Sequence, residues 1–371
     1  MNPMQKLGIA VTVSTLLASG SASAFSFGDL VKQVVEKVAV DTATNTVSEA
    51  ITGAADSTQN QAPIPSQDLV SAAPIAGTPL SVALMAKRGS ADVFAKRPKI
   101  AIAGYNVGAF QSAKITGTTT REQGASVSMS FALVGVDAAM LGRVADAGHA
   151  DLVAQLQGAG IQVIDAPTFF KAAEADEIIR SASPVEDEKM DGRAPKQLVV
   201  TGPSAVGVVS SFGLIPKGFN GNMGDQASAA LDAIVIYPNV ALDFAWTSGG
   251  GRSMLQRKVS VDAGARFALD QLSNIQVVYS KDGRYVDDSA TLGLAEDLGV
   301  DDVFATVDKT GSSNNSGSVG LSNALGFGMS SRKGSQYTVT VDRKRYETLA
   351  MNAAKGFNAA LVQQIRAAKG I

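Results

Sequence analysis

The chain contains no cysteine. Disulfides, thiolate zinc sites, iron–sulfur clusters and a cysteine nucleophile are excluded together, and so is the lipid-modified N-terminal cysteine of a lipoprotein. It has a single histidine, His149, whereas zinc and non-haem iron sites usually need two or more His or Cys ligands. Charge of either sign is not in excess: 32 Lys and Arg against 34 Asp and Glu leave a formal net of -2. With no concentration of positive charge, nucleic acid is not an expected partner. Tryptophan occurs once, at Trp246.

What is present is enough for a sizeable core: 371 residues, 45% of them hydrophobic, fill one large domain or two small ones. The N-terminus reads as a secretory leader over residues 1–24. Lys6 charges a short first region, residues 7–20 are mostly apolar, and Ala22-Ser23-Ala24 supplies an A-x-A cleavage pattern. The apolar stretch falls short of the roughly 20 residues a membrane-spanning helix needs, so cleavage before Phe25 is expected rather than retention as an anchor. A bacterial leader of this type implies a periplasmic or outer-membrane-associated product. No later stretch is long and apolar enough to be a transmembrane helix.

Residues 25–52 carry an amphipathic helix pattern. Ser26 and Asp29 have capping-box spacing, and Val31, Val34, Val35 and Val38 make one stripe. Residues 53–97 shift to Ala, Ser, Gln, Asn and Pro and read as a linker, with one or two helical turns at 80–86. Residues 98–371 then form the main domain.

Residues 232–246 are the centre of that domain. The run Ile234-Val235-Ile236-Tyr237 passes into alternation, with Val240, Leu242, Phe244 and Trp246 on one side. Pro238 lacks a ladder amide and marks a bulge or an edge. Residues 99–110 read as a first strand and 126–134 as its hairpin partner across a polar loop, 150–158 as a helix, 161–164 as a strand and 166–180 as a second helix. A charged loop is expected at 184–195, a strand or bent hairpin at 197–214, a short helix at 225–231 and a flexible turn at 247–251. Antiparallel strands follow at 257–267 and 274–280, with Asp282-Gly283 as a two-residue hairpin turn. Strands at 301–309 and 336–342 precede a closing helix, 343–369, whose stripe runs Tyr346, Leu349, Ala350, Ala353, Phe357, Ala360, Leu361 and Ile365. The order implies an α/β (α+β) fold: a mixed, largely antiparallel sheet with helices packed on it, preceded by the amphipathic helix and linker.

No catalytic, cofactor-binding or metal-binding residue is assigned. His149 reads as a solvated or capping residue, because Gly202-Pro-Ser-Ala-Val-Gly207 has one residue too many for a nucleophile elbow. Gly218, Gly221, Gly224 and Gly249–Gly251 read as turn glycines, since no Lys-Ser/Thr follows them. Glu186-Asp187-Glu188 and Asp287-Asp288 lack calcium-loop spacing. Paired carboxylates remain open as the basis of a periplasmic hydrolase, though nothing in the spacing selects a pair.

Residues 319–329 alternate Val319, Leu321, Leu325, Phe327 and Met329 with small residues, as a strand with one face to lipid would; a half-buried strand or a Gly/Ser loop fits the same pattern. The alternation recurs at 127–133. Three stretches, KIAIAGYNV at 99–107, ALDAIVIYPNVAL at 230–242 and LDQLSNIQVVYSKDG at 269–283, with the closing helix, resemble the curli production assembly/transport (CsgG-like) family of outer-membrane secretion channels. The family's anchoring cysteine is missing, and no residue matches its pore constriction. The resemblance implies a non-enzymatic assembly, export or binding role on the periplasmic side of the outer membrane, with protein partners or self-association and contact with that membrane. The hydrolase is the alternative.

Overall fold

The computed structural model describes residues 79–371 and the strand at 70–72, apart from 119–125, 173–174, 176–177, 179, 192–193, 211–213, 215–223, 253–258, 301 and 317–330. The leader, the amphipathic helix, most of the linker and the 319–329 alternation therefore lie outside the described residues. Strands are numbered β1 to β18 and helices α1 to α4 in chain order.

The apolar run at 232–246 forms β12 (Ala233–Arg252), the longest described strand at 20 residues. Its first half is buried on both faces: Ile234 and Ile236 enter the main core, while Ala233, Val235 and Tyr237 enter a second one. Such a strand shows a continuous apolar run rather than simple alternation. Beside this half lie β3 (Lys99–Ile102), parallel, and β14 (Asn274–Tyr279), antiparallel. Farther along, β4 (Asn106–Phe110) and β13 (Val259–Leu269) take over as neighbours. Pro238 sits at the changeover. Between Ile236↔Ile102 and Asn239↔Asn106 the β3/β4 side carries one residue more than β12. That bulge faces the proline, so no amide is missed there.

One residue past the proline, three asparagines stand in register on adjacent strands, Asn106 and Asn274 each opposite Asn239. The Asn106 amide donates to Asn239 Oδ1 at 2.9 Å, and Asn239 Nδ2 donates to Asn274 Oδ1 at 3.2 Å. Asn106 also donates to the Val209 carbonyl at 2.7 Å and accepts from its amide at 3.1 Å. This polar ladder crosses the middle of the sheet, with Asn239 fully buried.

Outward from these strands the sheet continues through β10 (Ala194–Thr201) to β9 (Val185–Asp191), and from β3 to β7 (Gln162–Ile164). On the other side β15 (Asp288–Gly293) leads to β2 (Met85–Arg88), and β16 (Leu298–Val300) to β1 (Val70–Ala72). A second sheet has the order β17 (Ala305–Ser316), β18 (Ser331–Val341), β6 (Ser126–Val134), β5 (Ser112–Thr118), and β8 (Arg180–Ser181) pairs with β11 (Val208–Val209). Helices α1 (Ala138–Gly158) and α4 (Arg343–Lys369) pack on each other and share the main core. The short α2 (Ala166–Phe169) and α3 (Asp225–Leu231) contribute Phe169 and Ala227 to the second core. The arrangement is α/β with a mixed, largely antiparallel sheet and helices packed on it, as expected.

The closing helix has the predicted bounds. Asp342 caps it by accepting from Arg345 N at 3.0 Å, and Gly370 ends it in the left-handed region. All eight stripe residues are buried. They meet α1 more than the sheet. At Gly356 the chain from Leu80 crosses so closely that a Cβ would lie 2.1 Å from the Leu80 carbonyl oxygen.

Several local expectations are corrected. Residues 79–97, read as linker, pack on the domain: β2 pairs with β15, and a 3₁₀ turn over Ala91–Lys96 buries Val93 and Phe94. The expected helical turns at 80–86 are extended chain. The charged stretch 184–195 is the β9–β10 hairpin, with Glu186 and Glu188 on the exposed side of an edge strand, where charges discourage further pairing. The turn expected at 247–251 is strand, still paired from Thr247↔Ala263 to Arg252↔Val259. Helix α1 begins at Ala138, not 150, because its first half buries small residues, Ala145 and Gly148, beside Met140, Leu141 and Val144. The helix expected at 166–180 stops at Phe169. Beyond it, bonds of the i to i+3 kind, Ala175 N to Ala172 O and Ile178 N to Ala175 O, carry the chain on three-residue spacing. That spacing sends Ala175 and Ile178 into the same core as Phe169. The hairpin partner of 126–134 is β5, not the first strand, which breaks into β3 and β4. The loop at Asp282-Gly283 spans more than two residues, since β14 ends at Tyr279 and β15 starts at Asp288.

Candidate interaction sheet and its buried root

In the four-stranded sheet, β6 runs antiparallel to β5 and parallel to β18. Period-2 alternation sends Met129, Phe131, Leu133, Tyr337, Val339 and Val341 into the protein's own core. Phe131 stacks on Tyr337 with ring centroids 5.1 Å apart. The alternation read at 127–133 is thus, for its described side chains, that of a half-buried strand. The opposite face is mostly polar: Gln336, Thr340, Thr306, Asp308, Thr310 and Ser312 are exposed, with Ala132 and Val134 of β6 the apolar residues exposed beside them. At the sides, β5 and β17 each pair with one neighbour among the described residues. The outer backbone groups of β17 form an edge that a further strand can pair with, whereas β10 lies beside the start of β5: Gln111 N donates to the Gln197 carbonyl at 2.7 Å and Gln197 N to Ser112 Oγ at 3.0 Å.

The β12–β13 hairpin projects in the same manner. Pairing with β4 ends at Leu242↔Ala109 and pairing with β16 covers only Phe267 to Leu269, while β12 and β13 stay paired out to Arg252↔Val259. A two-stranded ribbon is at best marginal in water by itself. This one is anchored at a root rich in charge. Lys196 on β10 forms a 2.6 Å ion pair with Asp243 on β12, and both side chains are nearly buried. Asp243 Oδ1 also accepts from the amides of Phe244 at 2.7 Å and Ala245 at 3.2 Å, where β12 shifts register against β13. The Lys196 ammonium lies 4.8 Å from the centroid of the Phe110 ring. Asp270 follows β13 directly and is buried. Burial pushes its carboxyl well above the usual carboxylate range, with the charges of Asp297 and Asp243 pushing the same way and the Leu272 amide and Lys196 opposing. Tyr346 of α4 is buried near Asp243; burial first, and that charge second, raise its phenol. These residues are far apart in the sequence, and nothing in their spacing brings them together. The one local sign is a charge inside an apolar strand, as at Asp243 in VALDFAW.

At the other end of the four-stranded sheet, ion pairs fix the first turn of α4. Arg343 donates to the Gly135 carbonyl at 2.7 Å and to Asp137 at 2.6 Å, and Arg345 pairs with Asp302 at 2.8 Å. The sheet is therefore tied to the helical layer through the chain segments entering α1 and β17.

A cleft of about 800 Å³ lies between Gly142 on α1, residues 180–183 and the turn 202–207. Among the described residues its lining carries one ionisable side chain, Arg180, held 4.2 Å from the Phe170 ring centroid. The turn is not a nucleophile elbow. The amides of Val206 and Gly207 both donate to the Pro203 carbonyl, and the Ser204 hydroxyl donates to Asp146 at 3.1 Å. Gly202 is needed because a Cβ there would lie 1.8 Å from the Gly207 oxygen. His149 Nε2 accepts from the Ala166 amide at 3.5 Å at the start of α2, a capping contact. Burial lowers its pKa, against the charges of Asp165 and Asp146. Of the glycines read as turns, Gly224 precedes α3 at φ 79°, while Gly218 and Gly221 lie outside the described residues. Asp287 and Asp288 accept from the amides of Lys281 and Ser289, and Asp187 pairs with Lys189 at 3.1 Å. No three acidic or histidine side chains come together as a cation site among the described residues. Compared with protein-family models, curated proteins and solved structures, the chain finds no match.

Proposed function

We propose that the chain is a cell-envelope protein with a non-enzymatic assembly, export or binding role on the periplasmic side of the outer membrane, acting through association of its projecting strands. The observation that carries this reading is the edge strand β17 of the four-stranded sheet, which pairs only with β18 among the described residues. Main-chain pairing of β17 with a strand of another copy would extend that sheet and satisfy its outer backbone groups. The β12–β13 ribbon, which pairs with no third strand beyond its root among the described residues, gains from neighbours of the same kind. The leader at 1–24 and the resemblance to secretion-channel proteins point to the same compartment. Cell fractionation with sizing of the native complex tests the reading. A multi-copy complex in the outer-membrane fraction is expected, and a soluble monomer overturns it.

Two results bear on its parts. Intact-mass measurement of the exported protein should give Phe25 as the first residue; retention of residues 1–24 would sink the periplasmic assignment. For residues 319–329, a charge on a lipid-facing side chain at mid-membrane costs about 2–4 kcal/mol and little on a lumen face. Leu325→Arg should abolish membrane association and Ala324→Arg should leave it largely intact. If both variants behave alike and wash off with the soluble fraction, the segment does not face lipid.

A further inference from the structure

The cleft between α1 and the turn 202–207 has a volume of about 800 Å³, within the range of small-molecule sites. Its walls are fixed by bonds that tie them to the rest of the fold. Ser181 and Arg180 of β8 pair with Val208 and Val209 of β11, just past the turn. Val209 is held in turn by the Asn106 side chain, at 2.7 Å through its carbonyl and 3.1 Å through its amide. From α1, Asp146 accepts from the Ser204 amide at 2.7 Å and from the Ser204 hydroxyl at 3.1 Å. Gly142, one turn earlier on the same helix, also lines the cleft, and a Cβ there would meet nothing within 4 Å. The cleft is therefore preformed.

Its lining combines one cation with hydroxyls and apolar groups. Ile178 and Val206 are the buried apolar members. The Arg180 guanidinium is steadied by the Phe170 ring, which itself meets the buried Phe169 ring edge-on with centroids 5.1 Å apart. An aromatic face attracts the cation and leaves its N–H donors for another partner. Arg180 makes no ion pair and no side-chain hydrogen bond among the described residues, and the exposed hydroxyls of Ser181 and Ser183 beside it bond none of those residues either. A guanidinium matches the two oxygens of a carboxylate. One cation balances one negative charge, and Asp146, committed to Ser204, disfavours a second.

We propose that this cleft binds a carboxylate carried on a short apolar body, with the carboxylate on Arg180 and the hydroxyls of Ser181 and Ser183, and the body against Ile178 and Val206. A free short-chain acid and the C-terminal residue of a peptide share that chemistry. None of the cleft residues belongs to the four-stranded sheet, so the site stands or falls independently of strand association.

Calorimetric titration of the mature full-length protein tests the site with two acids, the peptide acetyl-Ala-Ala-Val with a free carboxylate and isovalerate, and with the primary amide of each. The parent should bind at least one acid in the millimolar range or tighter. Tighter binding of the peptide marks a chain end as the source, and tighter binding of isovalerate marks a free acid. Arg180→Gln, like replacement of the acid by its amide, should weaken binding about ten-fold or more, the loss of a charge-assisted pair. Gly142→Phe should weaken it as well, by filling the cleft from α1. Arg284→Gln, at an exposed arginine outside the cleft, should bind as the parent does. The proposal is overturned if neither acid binds the parent, if the amides bind as tightly as the acids, or if Arg180→Gln, with an unchanged thermal midpoint, binds like the parent.

Discussion

Lys196→Met is expected to destabilise the fold by about 3–5 kcal/mol, the effect of removing one member of a buried ion pair. Asp243 would keep its two amide donors, from Phe244 and Ala245, but lose its cation at 2.6 Å in a site from which water is excluded. The methionine fills most of the volume of the lysine stem, so the loss reports the stranded charge rather than a cavity. Adding Asp243→Asn removes that charge and retains an acceptor for the two amides. The double variant should therefore recover more than half of the loss. Urea denaturation of the parent and three variants measures the cycle. A single variant as stable as the parent would mean that the ion pair contributes nothing to the fold.

Phe357→Ala should cost about 3–5 kcal/mol, the range for deleting a large side chain from a packed core. The ring is fully buried, and beside it Gly356 is closed over by the chain at Leu80. Neighbouring atoms have little freedom to collapse into the space. The denaturation midpoint should drop without a change in slope. An unmoved midpoint would mean that this part of the stripe does not carry the fold.

The closing helix was legible because its large apolar residues recur with helical period between a capping aspartate and a terminal glycine. The central strand was legible because Ile234 to Tyr237 are apolar on both faces. Helix α1 was half hidden: Ala145 and Gly148 contact the core with almost no side chain, so the period disappears from residue size although it persists in burial. The β9–β10 hairpin was hidden by its own protection, since the charges that keep an edge strand from pairing are those that make a stretch read as a loop. The root of the interaction sheet was the least visible. Lys196 and Asp243 are 47 residues apart, and only the three-dimensional crossing of β10 and β12 makes them partners. The edge at β17 is a property of strand order, which residue types alone do not encode.

The asparagine ladder across β4, β12 and β14 sits within the three stretches that carry the family resemblance, one asparagine in each, and it works as a test of alignment. If β14 slips by one residue, Asn239 comes to face Ile275 or Ser273 and Asn274 comes to face Pro238 or Val240. The slip also turns each side chain of the moved strand to the opposite face of the sheet. The slip breaks the Asn239–Asn274 bond, while Asn239 keeps its bonds to Asn106 and to the Tyr237 carbonyl and Asn274 keeps its bond to the Leu272 carbonyl; a typical hydrogen bond of this kind contributes about 0.5–1.5 kcal/mol. Hydrophobic burial hardly distinguishes Val277 from Val278 as a neighbour, so greasy contact alone would let the strands settle in several registers. The Asn239–Asn274 bond forms in one register only, so it favours the observed alignment where apolar contact alone is indifferent.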